Sequence, residues 1–168
     1  MLIAMAGLPG SGKSTIADAT ARLLGCAVVS VDPIEAARWI GGVDRAQPTG
    51  LAAYVVAEAV AEAQLRLGHD VIVDAVNEVE PARRQWRELA VRTGIELLFV
   101  EVVAVDRGEH RRRLEARDRG IIGFPEPTWD SIEKRRASFA DWDEERLRLD
   151  ASRSPDTNAR LIADHVTR

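Results

Sequence analysis

The residues with the clearest chemistry are Gly7-Leu8-Pro9-Gly10-Ser11-Gly12-Lys13-Ser14-Thr15. They match G-x-x-x-x-G-K-[ST], the phosphate-binding loop of nucleoside-triphosphate enzymes. The glycines let the backbone turn tightly and approach oxygen atoms that a Cβ would block. The N–H groups of Gly10, Ser11, Gly12, Lys13, Ser14 and Thr15, at a helix N-terminus, then face an anion. Lys13 can reach the β- and γ-phosphates, and the Ser14 hydroxyl can ligate Mg²⁺. A plain strand-to-helix turn would not require Lys-Ser at this place.

The motif needs a strand before it and a helix after it, and the chain supplies both. Leu2 to Ala6 is an apolar run suited to a buried parallel strand. Ile16, Ala17, Thr20, Leu23 and Leu24 recur at helical spacing, and Gly25 can end the helix. Cys26–Val31 reads as a second strand. Asp32 and Glu35 have capping-box spacing and Pro33 suits a first helical position, so a short helix through Trp39 is expected. A loop with Pro48 leads to a long helix over 51–67, largely buried, with Glu58, Glu62 and Arg66 as a solvated stripe. Asp70–Asp74 reads as a third strand, Asn77 as a possible cap for a helix to Thr93, and Ile95–Val105 as a fourth strand. Asp106 can cap an arginine-rich helix, and Thr128 another that runs through Phe139. The acidic run Asp141–Glu145 reads as a turn or exposed end. Leu147–Leu149 and a Ser154-capped helix over 155–167 complete the chain. Strand and helix alternate, which implies an α/β fold with a doubly wound parallel sheet.

A length of 168 residues suits one compact domain, read as 1–168. The net charge of −4 supplies no global basic field, which disfavours a nucleic-acid partner without excluding a local patch. The single Cys26 offers no internal disulfide. His69, His110 and His165 are scattered and read as surface side chains rather than metal ligands. No apolar run approaches the roughly 20 residues of a membrane span. The first strand begins at the second residue, so no cleavable signal is expected and the cytoplasm is the expected location. Lysine occurs only at Lys13 and Lys134 amid plentiful arginine, which makes the placement of Lys13 more informative.

The N-terminal phosphate loop, Asp32 ending the second strand, Val-Ile-Val-Asp74 ending the third, and an arginine-rich helix before a Gly/Pro segment together resemble the small P-loop kinases. The resemblance is to the AAA-type group, similar to chloramphenicol phosphotransferase, gluconate kinase and polynucleotide 5′-kinase domains. It covers essentially the whole chain. It implies a five-stranded parallel sheet in the order 2-3-1-4-5 with a lid, here about 117–127. It also implies ATP and Mg²⁺ as cofactors.

In the resembling kinases an Asp at the place of Asp32 receives the substrate hydroxyl's proton and orients its oxygen. Such a role suits phosphoryl transfer, which is mostly positioning and charge stabilisation. Asp32 could equally cap the helix begun by Pro33, and the two roles are compatible. Asp74 resembles a Mg²⁺-associated acid holding water on the metal that Ser14 ligates; a strand-end turn residue is the alternative. Which of Asp32 and Asp74 is the base stays open. Asn77 resembles an Asn of some relatives, although Val76 departs from their pattern. Lid arginines of the resembling kinases pair with nucleotide phosphates, which points to Arg117 and Arg113, four apart on one face. Arg111, Arg112 and Arg119 fit a solvated face, as Arg38 fits an exposed one. The residues 150–154 fall where the family places its adenine-facing loop. Trp39 and Trp129 suit core packing or stacking on a planar substrate, and Trp86 is among the residues that would line the acceptor pocket.

The leading reading is an ATP- and Mg²⁺-dependent phosphotransferase acting on a small-molecule hydroxyl, with Lys13, Asp32 and Arg117 as catalytic residues. Alternatives are a polynucleotide 5′-hydroxyl kinase and a non-kinase NTP-binding regulatory module. No Asn-Lys-x-Asp base-reading element of a GTPase is present. Neither the acceptor nor the oligomeric state follows from the sequence.

Overall fold

The computed structural model describes residues 1–44, 46–47, 50–117 and 126–166, apart from the side chains of Ser138 and Ala140. Its centre is a five-stranded parallel sheet in the order β2-β3-β1-β4-β5. The strands are β1 (Leu2–Ala6), β2 (Ala27–Ser30), β3 (Val71–Asp74), β4 (Leu97–Val103) and β5 (Leu147–Asp150). β1 and β3 are buried along their whole length, as the continuous apolar runs require. The register sets Met5 and Ser30 beside Asp74, so the carboxyl ends of β1, β2 and β3 meet where the phosphate loop begins.

Helix α1 (Lys13–Leu24) and helix α7 (Pro155–Val166) cover one face, over Ile3, Met5, Val100 and Leu149. The other face carries α3 (Gly50–Arg66) and α4 (Glu80–Thr93), packed over Leu2, Ala4, Val73 and Phe99. α2 (Val31–Ile40) lies against α3, and α5 (Arg107–Glu115) meets α6 (Trp129–Ala140). The carboxyl ends of the strands are therefore left open between the layers. In open α/β sheets ligands bind in such a crevice.

Several caps match the sequence. Asp106 accepts the Glu109 N–H, Thr128 the Ser131 N–H and Ser154 the Thr157 N–H. Two do not. α2 begins at Val31 with Ser30 at its N-cap, so Asp32 lies inside the first turn and does not cap. α4 begins at Glu80 after Val79, and Asn77 stands apart from it with a φ of 52°. Asn77 is completely buried. It donates to the Met5 carbonyl at 2.7 Å and accepts from Trp86 Nε1 at 2.9 Å. The cap spacing was therefore serving a tie between β1, the β3–α4 connection and α4. That tie lets the wholly buried Trp86 keep a partner for its N–H.

Two further expectations are corrected. α3 buries Ala53, Ala57, Ala61 and Leu65, every fourth residue, but leaves Leu51, Val55, Val56 and Val60 exposed. Its near-uniform apolar composition concealed which face turned inward. The acidic turn after α6 is not simply exposed, because Trp142 is buried. The guanidinium groups of Arg83 and Arg146 lie over its ring at 4.7 and 4.4 Å.

Candidate active site

Local backbone geometry explains the loop's glycines. Gly7 has a φ of 142°, and a Cβ there would lie 2.6 Å from the Val102 carbonyl oxygen. That contact is with backbone, so the loop closes on β4 only without a side chain. Gly12 has a φ of 90° and forms the N-cap of α1, with open space around its missing Cβ. The first turn of α1 has no side-chain cap and no acidic residue. Its N–H groups and the positive end of its dipole face the crevice, which suits an anion. Leu8 anchors the loop by packing with Leu114 and Ile132.

Lys13 is buried beneath the loop, with Nζ 4.0 Å from Asp74 Oδ1. Asp74 is itself buried, and Ser30 Oγ donates to its Oδ2 at 3.4 Å. Oδ1 has no hydrogen-bond partner. A buried carboxylate oxygen without a donor, beside a lysine and near the Ser14 end of α1, is the donor set expected for Mg²⁺ held through water. That ion commonly uses one or two protein groups and leaves the rest of its shell to water and phosphate. Among the described residues no group of three or more His, Cys, Asp or Glu could hold a metal, so no all-protein cage is present.

Asp32 is half-buried two residues after Ser30, in the first turn of α2. Tyr54 of α3 closes the same region, its hydroxyl 3.4 Å from the Asn77 N–H that donates to it. Burial pushes the Tyr54 phenol up to about 12; the carboxylates of Asp32 and Glu78 add to the rise, and the Asn77 N–H opposes it. The Asp32 carboxylate is thus an electrostatic neighbour of the Tyr54 hydroxyl.

Arg113 and Arg117 line one cavity of about 210 Å³ together with Gly10, Gly12, Lys13, Ser14 and Thr15. Arg113 is pre-set, donating to the Ala151 carbonyl at 3.0 Å and to Glu109 at 2.9 Å. It joins the loop after β5 to the rim of the phosphate cavity. Arg117 lies beyond the end of α5, with Nη1 3.7 Å from Glu126. Arg111 and Arg112 instead make exposed pairs with Glu115 and Glu109. Such pairs contribute little. Arg119 and most of the expected lid, residues 118–125, lie outside the described residues.

Sequence reasoning missed Ser30 and Tyr54 and misplaced His110. His110 is buried against the loop, with Nε2 2.8 Å from the Pro9 carbonyl oxygen and Nδ1 3.3 Å from Arg136 Nη2. His69 and His165 are exposed, as expected. Position could have revealed His110, since it lies four residues before the buried Leu114 on α5.

Comparison with known proteins agrees with this architecture. Solved structures that share the fold include three kinases. The APS kinase of Mycobacterium tuberculosis in complex with AMPPNP and APS is 23% identical, with a TM-score of 0.72, covering 99% of this chain and 97% of that one. A sugar kinase from Janibacter sp. HTCC2649 is 17% identical, with a TM-score of 0.72 and coverage of 99% and 94%. A gluconokinase from Sinorhizobium meliloti 1021 is 16% identical, with a TM-score of 0.61 and coverage of 98% and 94%. No curated protein matches the sequence at a significant level. The fold is that of kinase-like P-loop nucleotide-binding domains. A family model described as an AAA domain matches residues 2–139, and the chain belongs to that family.

Proposed function

We propose that this chain is an ATP- and Mg²⁺-dependent phosphotransferase that acts on a hydroxyl of a small molecule. One observation carries the reading. The phosphate loop and two arginines from the far side line a single cavity, and the Lys13–Asp74 pair lies at the loop's base. Cations on both sides of a phosphate suit transfer of a phosphoryl group, whose charge spreads over three oxygens in the transition state. The nucleotide-bound APS kinase of the same fold supports the choice of donor.

Lys13 would hold the β- and γ-phosphate oxygens, and Arg117 with Arg113 would face them across the cavity. Ser14 and Asp74 would hold Mg²⁺, Asp74 through water; the bound ion supplies charge neutralisation at the phosphates. Asp32 would orient the acceptor hydroxyl and take its proton. Phosphoryl transfer depends mostly on positioning, so alignment is the larger part of that role. The small-molecule kinases among the structural neighbours favour a small acceptor over a polynucleotide.

The test is incubation with ATP, Mg²⁺ and a panel of hydroxyl-bearing metabolites. Acceptor-dependent release of ADP is expected. ATP binding with no turnover stimulated by any acceptor would instead identify a nucleotide-binding module.

A further inference from the structure

The geometry points to His110 as a positioning residue for the phosphate-binding loop. Its neutral ring, held by Arg136, fixes the Pro9 carbonyl and thereby aims the Gly10 N–H into the phosphate cavity. The inference rests on the nucleotide-binding reading above and adds a residue outside the loop motif.

The hydrogen bonds determine the tautomer. A guanidinium only donates, so Nδ1 must accept from Arg136. The ring hydrogen is then on Nε2, which donates to the Pro9 carbonyl. The Pro9 carbonyl and the Gly10 N–H belong to one planar trans peptide and point in opposite directions. Drawing the carbonyl toward α5 turns the N–H toward the other side, where Gly10 lines the cavity with Lys13 and Ser14. A flipped peptide would present a carbonyl oxygen to the phosphates instead. Packing opposes that flip as well. Gly10 lies so close to α5 that a Cβ on it would meet His110 Cδ2 and Leu114 Cβ at 3.3 and 3.2 Å. The far side of the ring is fixed by α6, where Trp129 meets it edge-on, the centroids 5.3 Å apart. Arg136 is held in turn by Glu133 at 2.9 Å.

Protonation would undo this arrangement, because a hydrogen on Nδ1 would confront the guanidinium. The charged groups that bear on the ring are Arg136 and Glu133 from α6 and Arg113 from α5. Burial holds the imidazole below its ordinary value of 6.5; the Arg136 and Arg113 cations add to this, against the Pro9 carbonyl and Glu133. The neutral ring therefore persists at pH 7 and is lost only as the pH falls below 6.5.

The experiment has two arms. The first is ATP binding by calorimetry with His110→Leu and His110→Gln, alongside their melting temperatures without nucleotide. A glutamine amide can donate to Pro9 and accept from Arg136. His110→Leu should weaken ATP by about tenfold, whereas His110→Gln should stay within about threefold of the wild type. Relative to His110→Gln, the wild type should lose affinity as the pH drops below 6.5. Wild-type affinity in His110→Leu, a glutamine variant no better than leucine, or parallel pH profiles would each overturn the proposal. The second arm needs no nucleotide. Nitrogen-15 NMR should show His110 as the Nε2–H tautomer, with the Gly10 amide shift following its titration. An Nδ1–H tautomer or an indifferent Gly10 signal would overturn the proposal. If the wild type bound no ATP, the proposed function would fall, while this second arm would still decide the role of His110.

Discussion

The two halves of the crevice are built in opposite ways. On the donor side the loop is closely packed, with Gly7 against the Val102 carbonyl and Gly10 against His110 and Leu114 of α5, and Lys13 is buried beneath it. On the proposed acceptor side Asp32 stands on a half-exposed helix, and Ile40 and Leu51 are 73% and 76% exposed. The contrast follows from what each half would bind. A polyphosphate is the same ligand in every such protein and is met by backbone N–H groups, whose geometry a short motif can specify. An acceptor differs from enzyme to enzyme and must be read by side chains brought from separate elements.

Breaking the donor side should have the largest consequence. Lys13→Ala is expected to lower turnover on the order of a thousandfold, through lost stabilisation of the transferring group, as measured by ADP release. On the acceptor side, Asp32→Asn should reduce transfer by about a hundredfold while the ATP dissociation constant stays unchanged. Full activity in that variant would remove Asp32 from the mechanism and leave Asp74 as the candidate base. Asn77→Ala probes the scaffold common to both halves. It leaves the Met5 carbonyl and the Trp86 N–H without their partners. The expected cost is about 2 kcal/mol, read from the urea midpoint, with ATP affinity per folded molecule unaltered.

The arginines provide a finer comparison within one segment. Arg117→Met should weaken ATP by about tenfold, as expected for loss of a charge-assisted phosphate contact, and Arg111→Met should not change it. Equal effects would mean that a general positive field acts rather than placed side chains. The smallest effect concerns Tyr54, the single tyrosine of the chain. Its phenolate absorbance should appear near pH 12 rather than 10. Because the folded value is raised, the stabilising contribution is present below pH 10 and is lost as the pH climbs toward 12.

The legible parts of the molecule share a feature. The loop, the alternation of strands and helices, and the caps at Asp106, Thr128 and Ser154 are each decided within a few residues of sequence. The misread parts depend on partners far along the chain. Asn77 has the spacing of a cap but bonds to Met5. Asp32 has the same spacing, yet Ser30 begins the helix. Helical spacing sets Arg113, with Arg117, apart from Arg111 and Arg112, but it does not show that Arg113 bonds to the Ala151 carbonyl in the loop after β5.

By itself the sequence determined the phosphate cradle and the parallel α/β architecture, since φ preference, hydrophobic period and N–H geometry are local properties. Only the tertiary structure decided which polar groups are buried together. Ser30 with Asp74, His110 with Pro9 and Arg136, and Asn77 with Trp86 join segments that the sheet order brings together. A buried polar group must find a partner wherever the fold supplies one, and no local spacing encodes that choice.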